Sequence, residues 1–334
     1  MIIYSDVIQA LTYVSAALVV LFYLYYSLHS DFSTLLYTLA ADDKLRLLDF
    51  RLDFSSAGSF NVWGLMSGWL LLNIAAYGMD QDMTQRVLSC RDKKEGERAV
   101  IASVLMTIPV VVLFMLIGLL LYLYYEHPEL SGFANGVDQQ FEGQKITILM
   151  YYILNEMPEG VRGFVTVGAI AAALSSTNSV LAAMSSVAIE DLYKPWRVKR
   201  GAVYELHFVK AARAGVLLFA LLLSIMAMVS YYWQRYTDLP LLSFALGVMA
   251  FAYSGLLGVY FSAVFTTRGS EKSVLLALVG GFMAVLLLQP YILGSVTDFN
   301  LGFAWQIVIG TAVSFAVVQL GGGGKSAKRG AGYA

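Results

Sequence analysis

Long apolar stretches alternate with polar segments along most of this chain. Each holds about 20 or more residues, the length that an α-helix needs to cross the hydrocarbon core of a bilayer. The eight stretches, named segments A to H, cover 7–27, 60–80, 101–125, 162–187, 211–231, 240–265, 273–293 and 301–320. Barrel strands would be shorter and alternate in polarity. The pattern therefore predicts an all-α integral membrane protein with about eight transmembrane helices.

Segment D is apolar but carries hydroxyl groups in its second half. Ala172, Ser175, Ser176 and Ser179 are spaced i, i+3, i+4 and i+7, so they share one face of a helix. A hard cation such as sodium prefers oxygen ligands, and two adjacent hydroxyls with a carbonyl one turn earlier form a partial shell. Small residues on one face also let membrane helices pack closely, which is the more common reason for such spacing.

Segment B takes polar side chains into an apolar run, namely Asn73, Tyr77, Asp80, Gln81, Asp82 and Gln85. Carboxylates at membrane depth are costly and usually mark a pathway or a paired site. Three glycines in the same segment would ease a break in the helix, and broken helices bind substrate in many secondary transporters. The alternative is that Asp80 and Asp82 lie in water at the cytoplasmic end and pair with Arg86 or Arg91.

Composition agrees with a membrane protein, since 58% of the residues are hydrophobic, 13% are charged and the mean hydropathy is +0.68. A net charge of −1 gives no reason to expect a nucleic-acid partner. A single cysteine, Cys90, excludes an internal disulfide. The chain lacks the sequence motifs of hydrolases and zinc enzymes, so we expect no enzymatic activity.

Basic residues predict the orientation in the membrane. With eight spans, sixteen of the 22 lysines and arginines fall on one side and six on the other. Because basic loops stay on the cytoplasmic side, this asymmetry predicts that both termini are cytoplasmic. We expect a multi-pass protein of the cell (inner or plasma) membrane.

Three segments, taken together, resemble the sodium/solute symporter family, which includes sodium/glucose cotransporters and proline permeases. YSDVIQ at 4–9 resembles the start of the last helix in that family's first repeat. YGMDQDMTQRVLSC at 77–90 resembles its G-x-(N/D)-Q-x-x-x-Q-R turn. The run from Gly163 through AAALSSTNSVLAAMSS to EDLYK resembles its signature.

The resemblance implies an inverted-repeat (LeuT-like) fold with ten core helices. Sodium would lie between the first and eighth core helices, and substrate between the first and sixth. Carried over to this sequence, Ala172 would offer a backbone carbonyl to sodium, and Ser175 and Ser176 would offer hydroxyls. Asp6, by itself typical of helix capping, would match an acidic residue that receives the ion on its way to the cytoplasm.

The resemblance also implies substrate contacts on segment B. Asn73 matches a polar substrate position of the sixth core helix, and Tyr77 and Gln81 complete the candidate set. Met106 stands where sugar transporters have a lysine, and alanines occupy the aromatic gate positions near Asn73. These departures argue against a sugar bound in the manner of those transporters and leave the substrate class open.

The match begins late in the family's fold, because segment A corresponds to the fifth core helix. This implies that about five helices before it are absent. The chain would then hold a transmembrane symporter domain over 1–320, with the last helix of the first repeat, a complete second repeat and two extra helices. Residues 321–334, rich in glycine, are expected to form a disordered cytoplasmic tail.

The resemblance therefore implies sodium-coupled symport of a small organic solute by alternating access. Na⁺ would be the coupling ion, and a missing N-terminal half would be a candidate partner. One alternative is a non-transporting membrane module, such as a sensor or partner subunit. Another is an inactive fragment of a symporter.

Overall fold

Helices make up nearly all of the regular structure. The computed structural model describes residues 2–133, 140–141, 144–201, 204–237, 241–297 and 300–321. Its helices are α1 (Ile2–Ser27), α2 (Phe32–Ala41), α3 (Val62–Gly78), α4 (Gln81–Leu88), α5 (Lys93–Glu126), α6 (Pro128–Ser131), α7 (Ile148–Asn155), α8 (Glu159–Val198), α9 (Glu205–Thr237), α10 (Leu241–Phe265), α11 (Glu271–Leu287), α12 (Pro290–Val296) and α13 (Phe303–Leu320). Two short strands, β1 (Gln140–Phe141) and β2 (Gln144–Lys145), pair antiparallel with Gln140 opposite Lys145.

Six of the helices within the described residues are long and apolar enough to cross a membrane. A seventh span is counted if α3 and α4, which meet at a bend of 48°, are taken as one broken span. Segment G forms α11, which has only 17 residues because Pro290 begins a separate helix. The all-α prediction is confirmed. Of the predicted disordered tail, all but Gly321 lies outside the described residues.

Two of the long helices contain a widened turn. The turn in α3 covers Leu65–Trp69 and the turn in α8 covers Ala188–Tyr193, each with π-type hydrogen bonding. Such turns insert an extra residue into the helix and change which side chains share a face. In α8 the widened turn carries the helix well beyond the predicted end of segment D.

The chain divides into two compact units, the first comprising Met1–Arg46 and Gln85–Leu221. In this unit α1 packs along α8 and also contacts α5. Leu24, Ile117, Leu123 and Tyr152 are almost fully buried at its core. Asp92 begins α5 by accepting a hydrogen bond from the backbone N–H of Glu95, which satisfies a donor left free at the helix start.

The second unit comprises Leu47–Thr84 and Leu222–Ala334. Here α10, α11 and α13 pack against one another around Leu257, Val285 and Ile307. A Cβ on Gly281 would lie 2.7 Å from the Cα of Gly255, so glycine is needed where α11 meets α10. Close approach through small residues is the usual way in which membrane helices gain packing energy.

Candidate functional site

The crossing of α1 and α8 builds the first candidate site. Gly168 on α8 faces Ala16 on α1, and a Cβ on Gly168 would lie only 2.4 Å from the Cβ of Ala16. Because glycine has no side chain, the backbones of α1 and α8 can come close at this position. This contact lies ten residues after Asp6 on α1 and seven residues before Ser175 on α8. The approach therefore brings side chains from both helices to the Asp6 carboxylate.

Asp6 is the centre of the cluster that forms there. Its side chain is nearly buried, with 9% of the residue exposed. The Ser175 hydroxyl donates a hydrogen bond to Oδ1 of Asp6 at 3.2 Å, and the Ser179 hydroxyl donates to Oδ2 at 3.5 Å. Ser175 and Ser179 are one helical turn apart, so a single face of α8 supplies both hydroxyls.

A positive charge completes the cluster. The Arg86 guanidinium, from α4, donates from Nη2 to Oδ2 of Asp6 at 3.3 Å and to the Ser179 hydroxyl oxygen at 2.7 Å. Its side chain is 45% exposed, in contrast to the buried carboxylate. A buried carboxylate in a membrane span is unfavourable without a cation, which explains why an arginine points there.

The structure separates the predicted sodium ligands into two groups. Asp6 and Ser175 come together, and Ala172 is half-buried one turn before Ser175. Ser176 is exposed, because the next residue along a helix is rotated by roughly 100°. Ser179 shared the predicted face but was not assigned as a ligand. The roles of all four predicted ligands in binding sodium stay predictions.

Arg86 is the member of the cluster that the sequence analysis did not identify. Arg86 is counted there among the basic residues that set the orientation and belongs to the turn motif at 77–90, but it is not assigned as a partner of Asp6. The available signal is indirect, because a carboxylate beside segment A that becomes buried requires a cationic partner. Eighty residues separate Arg86 from Asp6, so spacing along the chain could not show which cation that was.

The donor set of the cluster suits an alkali cation rather than a transition metal. It offers one carboxylate and hydroxyl oxygens, which are hard ligands. Among the described residues, no group of three or more His, Cys, Asp or Glu side chains is placed to hold a metal ion. The chemistry available here is reversible binding of a small monovalent cation.

The candidate substrate residues lie on α3 and at the start of α4, in the second unit. Asn73 is exposed, and its amide nitrogen donates to the Trp69 carbonyl of its own helix at 2.8 Å. Tyr77 is half-buried, and Gln81 is exposed where α4 begins. Each side chain has surface available to a ligand, and the assignment of these three residues as substrate contacts stays a prediction.

Asp80 has a structural role at the bend between α3 and α4. Its carboxylate accepts a hydrogen bond from the Tyr253 hydroxyl at 3.2 Å and one from the backbone N–H of Asp82 at 2.9 Å. The second bond satisfies a donor at the start of α4, as a capping residue does. Of the glycines thought to ease the break, Gly78 lies beside the bend, whereas Gly68 makes room for the backbone of Ala304.

Comparison with known proteins gives a consistent result. The profile of the sodium:solute symporter family matches residues 1–281. The sodium/sialic acid symporter SiaT of Proteus mirabilis is 26% identical over 295 residues, which are 85% of this chain and 55% of that protein. The sodium/sialic acid symporter NanT of Aliivibrio fischeri is 27% identical over 264 residues, 77% of this chain and 47% of that protein.

A human sodium/iodide cotransporter is 28% identical over 154 residues, 46% of this chain and 23% of that protein. Among solved structures, a substrate-bound, outward-open Na⁺-coupled sialic acid symporter matches with a TM-score of 0.72 and 23% identity. The match covers 96% of this chain and 61% of that one, and it shows the fold. These relatives are named as transporters and not as enzymes. The chain spans about half the length of the two sialic acid symporters.

Proposed function

The chain belongs to the sodium:solute symporter family, and on that premise we propose that it takes part in sodium-coupled transport of a small organic solute across a membrane. The observation that carries this proposal is the buried carboxylate of Asp6 with the hydroxyls of Ser175 and Ser179. In the proposed function, this cluster holds the coupling ion.

The physical case for sodium rests on charge and on ligand type. Asp6 supplies a negative charge in a nearly buried position, where an unpaired charge is unfavourable, so a cation is attracted strongly. The hydroxyls of Ser175 and Ser179 can turn their lone pairs towards an ion, since a hydroxyl both donates and accepts. These oxygens are fewer than the ligands that a hard cation usually gathers. We propose that the Ala172 carbonyl, the Ser176 hydroxyl, water or other residues supply the rest.

The proposed mechanism is alternating access driven by the ion gradient. Sodium binding would stabilise an outward-open state, substrate would then bind, and closure would carry both inward. The membrane potential adds ~2.3 kcal/mol per charge for each 100 mV. In this proposal Asn73, Tyr77 and Gln81 contact the solute. Both termini would lie in the cytoplasm.

The identity of the solute stays open. Names of the relatives include sialic acid, iodide and monocarboxylates, so they do not agree on one solute. That further N-terminal helices complete the transporter is also a proposal, supported by the lengths of the relatives. A test of function should therefore begin with the ion, which the family shares, before any solute is chosen.

The direct experiment measures equilibrium binding of radioactive sodium to the purified chain, with choline replacing sodium at constant ionic strength. We expect Asp6→Asn to abolish specific binding, because the negative charge is lost. Ser175→Ala should weaken binding about tenfold, the effect of losing one contact to a charged group. Thr177→Ala is the matched control, because Thr177 is exposed and its hydroxyl bonds to Ala173 of its own helix.

Unchanged sodium affinity in both Asp6→Asn and Ser175→Ala would show that this cluster is not the ion site. A loss in Thr177→Ala as large as that in Ser175→Ala would show a general effect of altering α8. Each variant should first be shown to keep the helical circular dichroism of the wild type, so that misfolding is not read as lost binding.

A further inference from the structure

Arg86 occupies the position on the Asp6 cluster where a bound cation would be expected. Its Nη2 lies 2.7 Å from the Ser179 hydroxyl oxygen and 3.3 Å from Oδ2 of Asp6. We propose that Arg86 is a tethered cation that neutralises Asp6 when sodium is absent and that sodium must displace it. This inference rests on the proposed function, since it names the competitor at the same ion site.

The distances explain why the two cations compete. Oδ2 of Asp6 and the Ser179 oxygen are 3.5 Å apart, and a sodium ion bound to both would sit between them. On either side of the line that joins these two oxygens, the sodium ion would lie within about 4 Å of Nη2 of Arg86. Two positive charges at that distance repel strongly in a buried setting. The Ser179 oxygen would also have to lose its hydrogen bond from Arg86 in order to bind the ion.

The surroundings of Arg86 allow it to leave. Its side chain is 45% exposed whereas the Asp6 side chain is 11% exposed, so the guanidinium has room to move away and the carboxylate does not. A long, flexible arginine can extend along the protein while its head becomes solvated. Asp6 therefore keeps a cation in both states, Arg86 in one and sodium in the other.

Displacement has a structural consequence for α4. Arg86 lies in the last turn of this eight-residue helix and connects it to α1 and α8. Once Arg86 is displaced, this connection is lost and the C-terminal end of α4 has fewer restraints. Ion occupancy would then control how firmly α4 is held, which is a link from binding to conformation that the ion cluster alone does not provide.

Cys90 offers a native reporter of this change. It is the only cysteine in the chain, it follows α4 by two residues and it is half-buried. Its thiol lies 3.7 Å from the Arg86 carbonyl, and its backbone N–H donates to the Val87 carbonyl at 3.1 Å. Loosening of this turn should speed the reaction of the thiol with a maleimide.

The experiment combines sodium binding with maleimide labelling of the full chain. We expect Arg86→Gln to raise sodium affinity about fivefold, the lower end of typical coupling between sites. Arg86→Lys keeps a tethered charge and should change it less. In the wild type, sodium but not choline should accelerate labelling of Cys90. In Arg86→Gln, labelling should be fast without sodium and insensitive to it.

Three outcomes separate the possibilities. If Arg86→Gln leaves sodium affinity unchanged or weakens it while Asp6→Asn abolishes binding, displacement is wrong and the ion site stands. Sodium-independent labelling in a wild type that binds sodium through Asp6 also overturns displacement. If Asp6→Asn has no effect, or the wild type shows no specific binding, the proposed ion site itself fails. Should Arg86→Gln misfold, Arg86→Lys with millimolar guanidinium as a soluble competitor gives a second test.

Discussion

Replacing Gly168 with alanine tests whether the close crossing of α1 and α8 positions the cation cluster. The new methyl carbon would lie 2.4 Å from the Cβ of Ala16, whereas ordinary contact begins at 3.4 Å. The helices must therefore separate by roughly 1 Å, and overpacking of this kind costs about 1–3 kcal/mol. The other neighbours of that methyl, Tyr13 and Thr12, are already at ordinary contact distances.

The same separation should weaken ion binding. Ser175 and Ser179 donate to Asp6 at 3.2 and 3.5 Å, so a further ångström would lengthen both contacts beyond hydrogen-bond range. Binding sites need their groups held within about 0.5 Å. We expect Gly168→Ala to lower sodium affinity at least about tenfold. Equilibrium sodium binding measures the affinity, and titration with dodecyl sulfate followed by circular dichroism measures the stability.

Two variants make the test specific. Gly163→Ala adds a methyl to the same helix where nothing lies within 4 Å, so stability and sodium affinity should not fall. Adding Ala16→Gly to Gly168→Ala moves one methyl from α1 to α8 and should restore most of the sodium affinity. Normal binding by Gly168→Ala would refute the reasoning. So would a double variant as impaired as the single one, provided that Ala16→Gly alone binds normally.

Two further predictions concern other parts of the fold. His127 hydrogen-bonds Glu129 and Asp42, each at 2.7 Å, which raises the pKa of His127 above the ordinary 6.5 and lowers the pKa of Asp42. The pKa of Glu129 is lowered first by a hydrogen bond from its own backbone N–H and then by the bond to His127. The stabilisation of the folded state by these bonds should be complete between about pH 5 and 6.5. It should be lost as the pH rises through the raised pKa of His127, and also as the pH falls through the lowered pKa values of the two carboxyls. His127→Gln should remove the alkaline loss of thermal stability, and an unchanged pH profile would contradict this. Gln306→Leu should cost about 1–3 kcal/mol in dodecyl sulfate titration, because the buried amide of Gln289, which donates to Gln306 at 2.8 Å, would lose its acceptor. A variant as stable as the wild type would show that this amide pair contributes little.

The outcome for segments B and D shows how far sequence reasoning reached. Hydropathy located both helices, and the glycines and carboxylates of segment B indicated a break that the structure places between Gly78 and Gln81. The sequence could not show that Asp80 caps α4 and accepts a hydrogen bond from Tyr253, because Tyr253 is 173 residues away. Spacing on α8 likewise grouped Ser176 with Ser175, although the structure leaves Ser176 exposed and turns Ser175 towards α1.

The sequence by itself determined the helical membrane architecture, because a bilayer imposes a length and an apolar composition on every span. The family resemblance added Asp6 and Ser175 as separate candidates for binding sodium, and the structure brings these two side chains into contact across 169 residues of chain. Only the tertiary structure decided which cation neutralises Asp6. That choice depends on where α4 places Arg86 relative to α1 and α8, and many of the chain's basic residues were equally available in the sequence. Hydropathy describes how each helix meets lipid, whereas the pairing of buried charges follows from how helices cross.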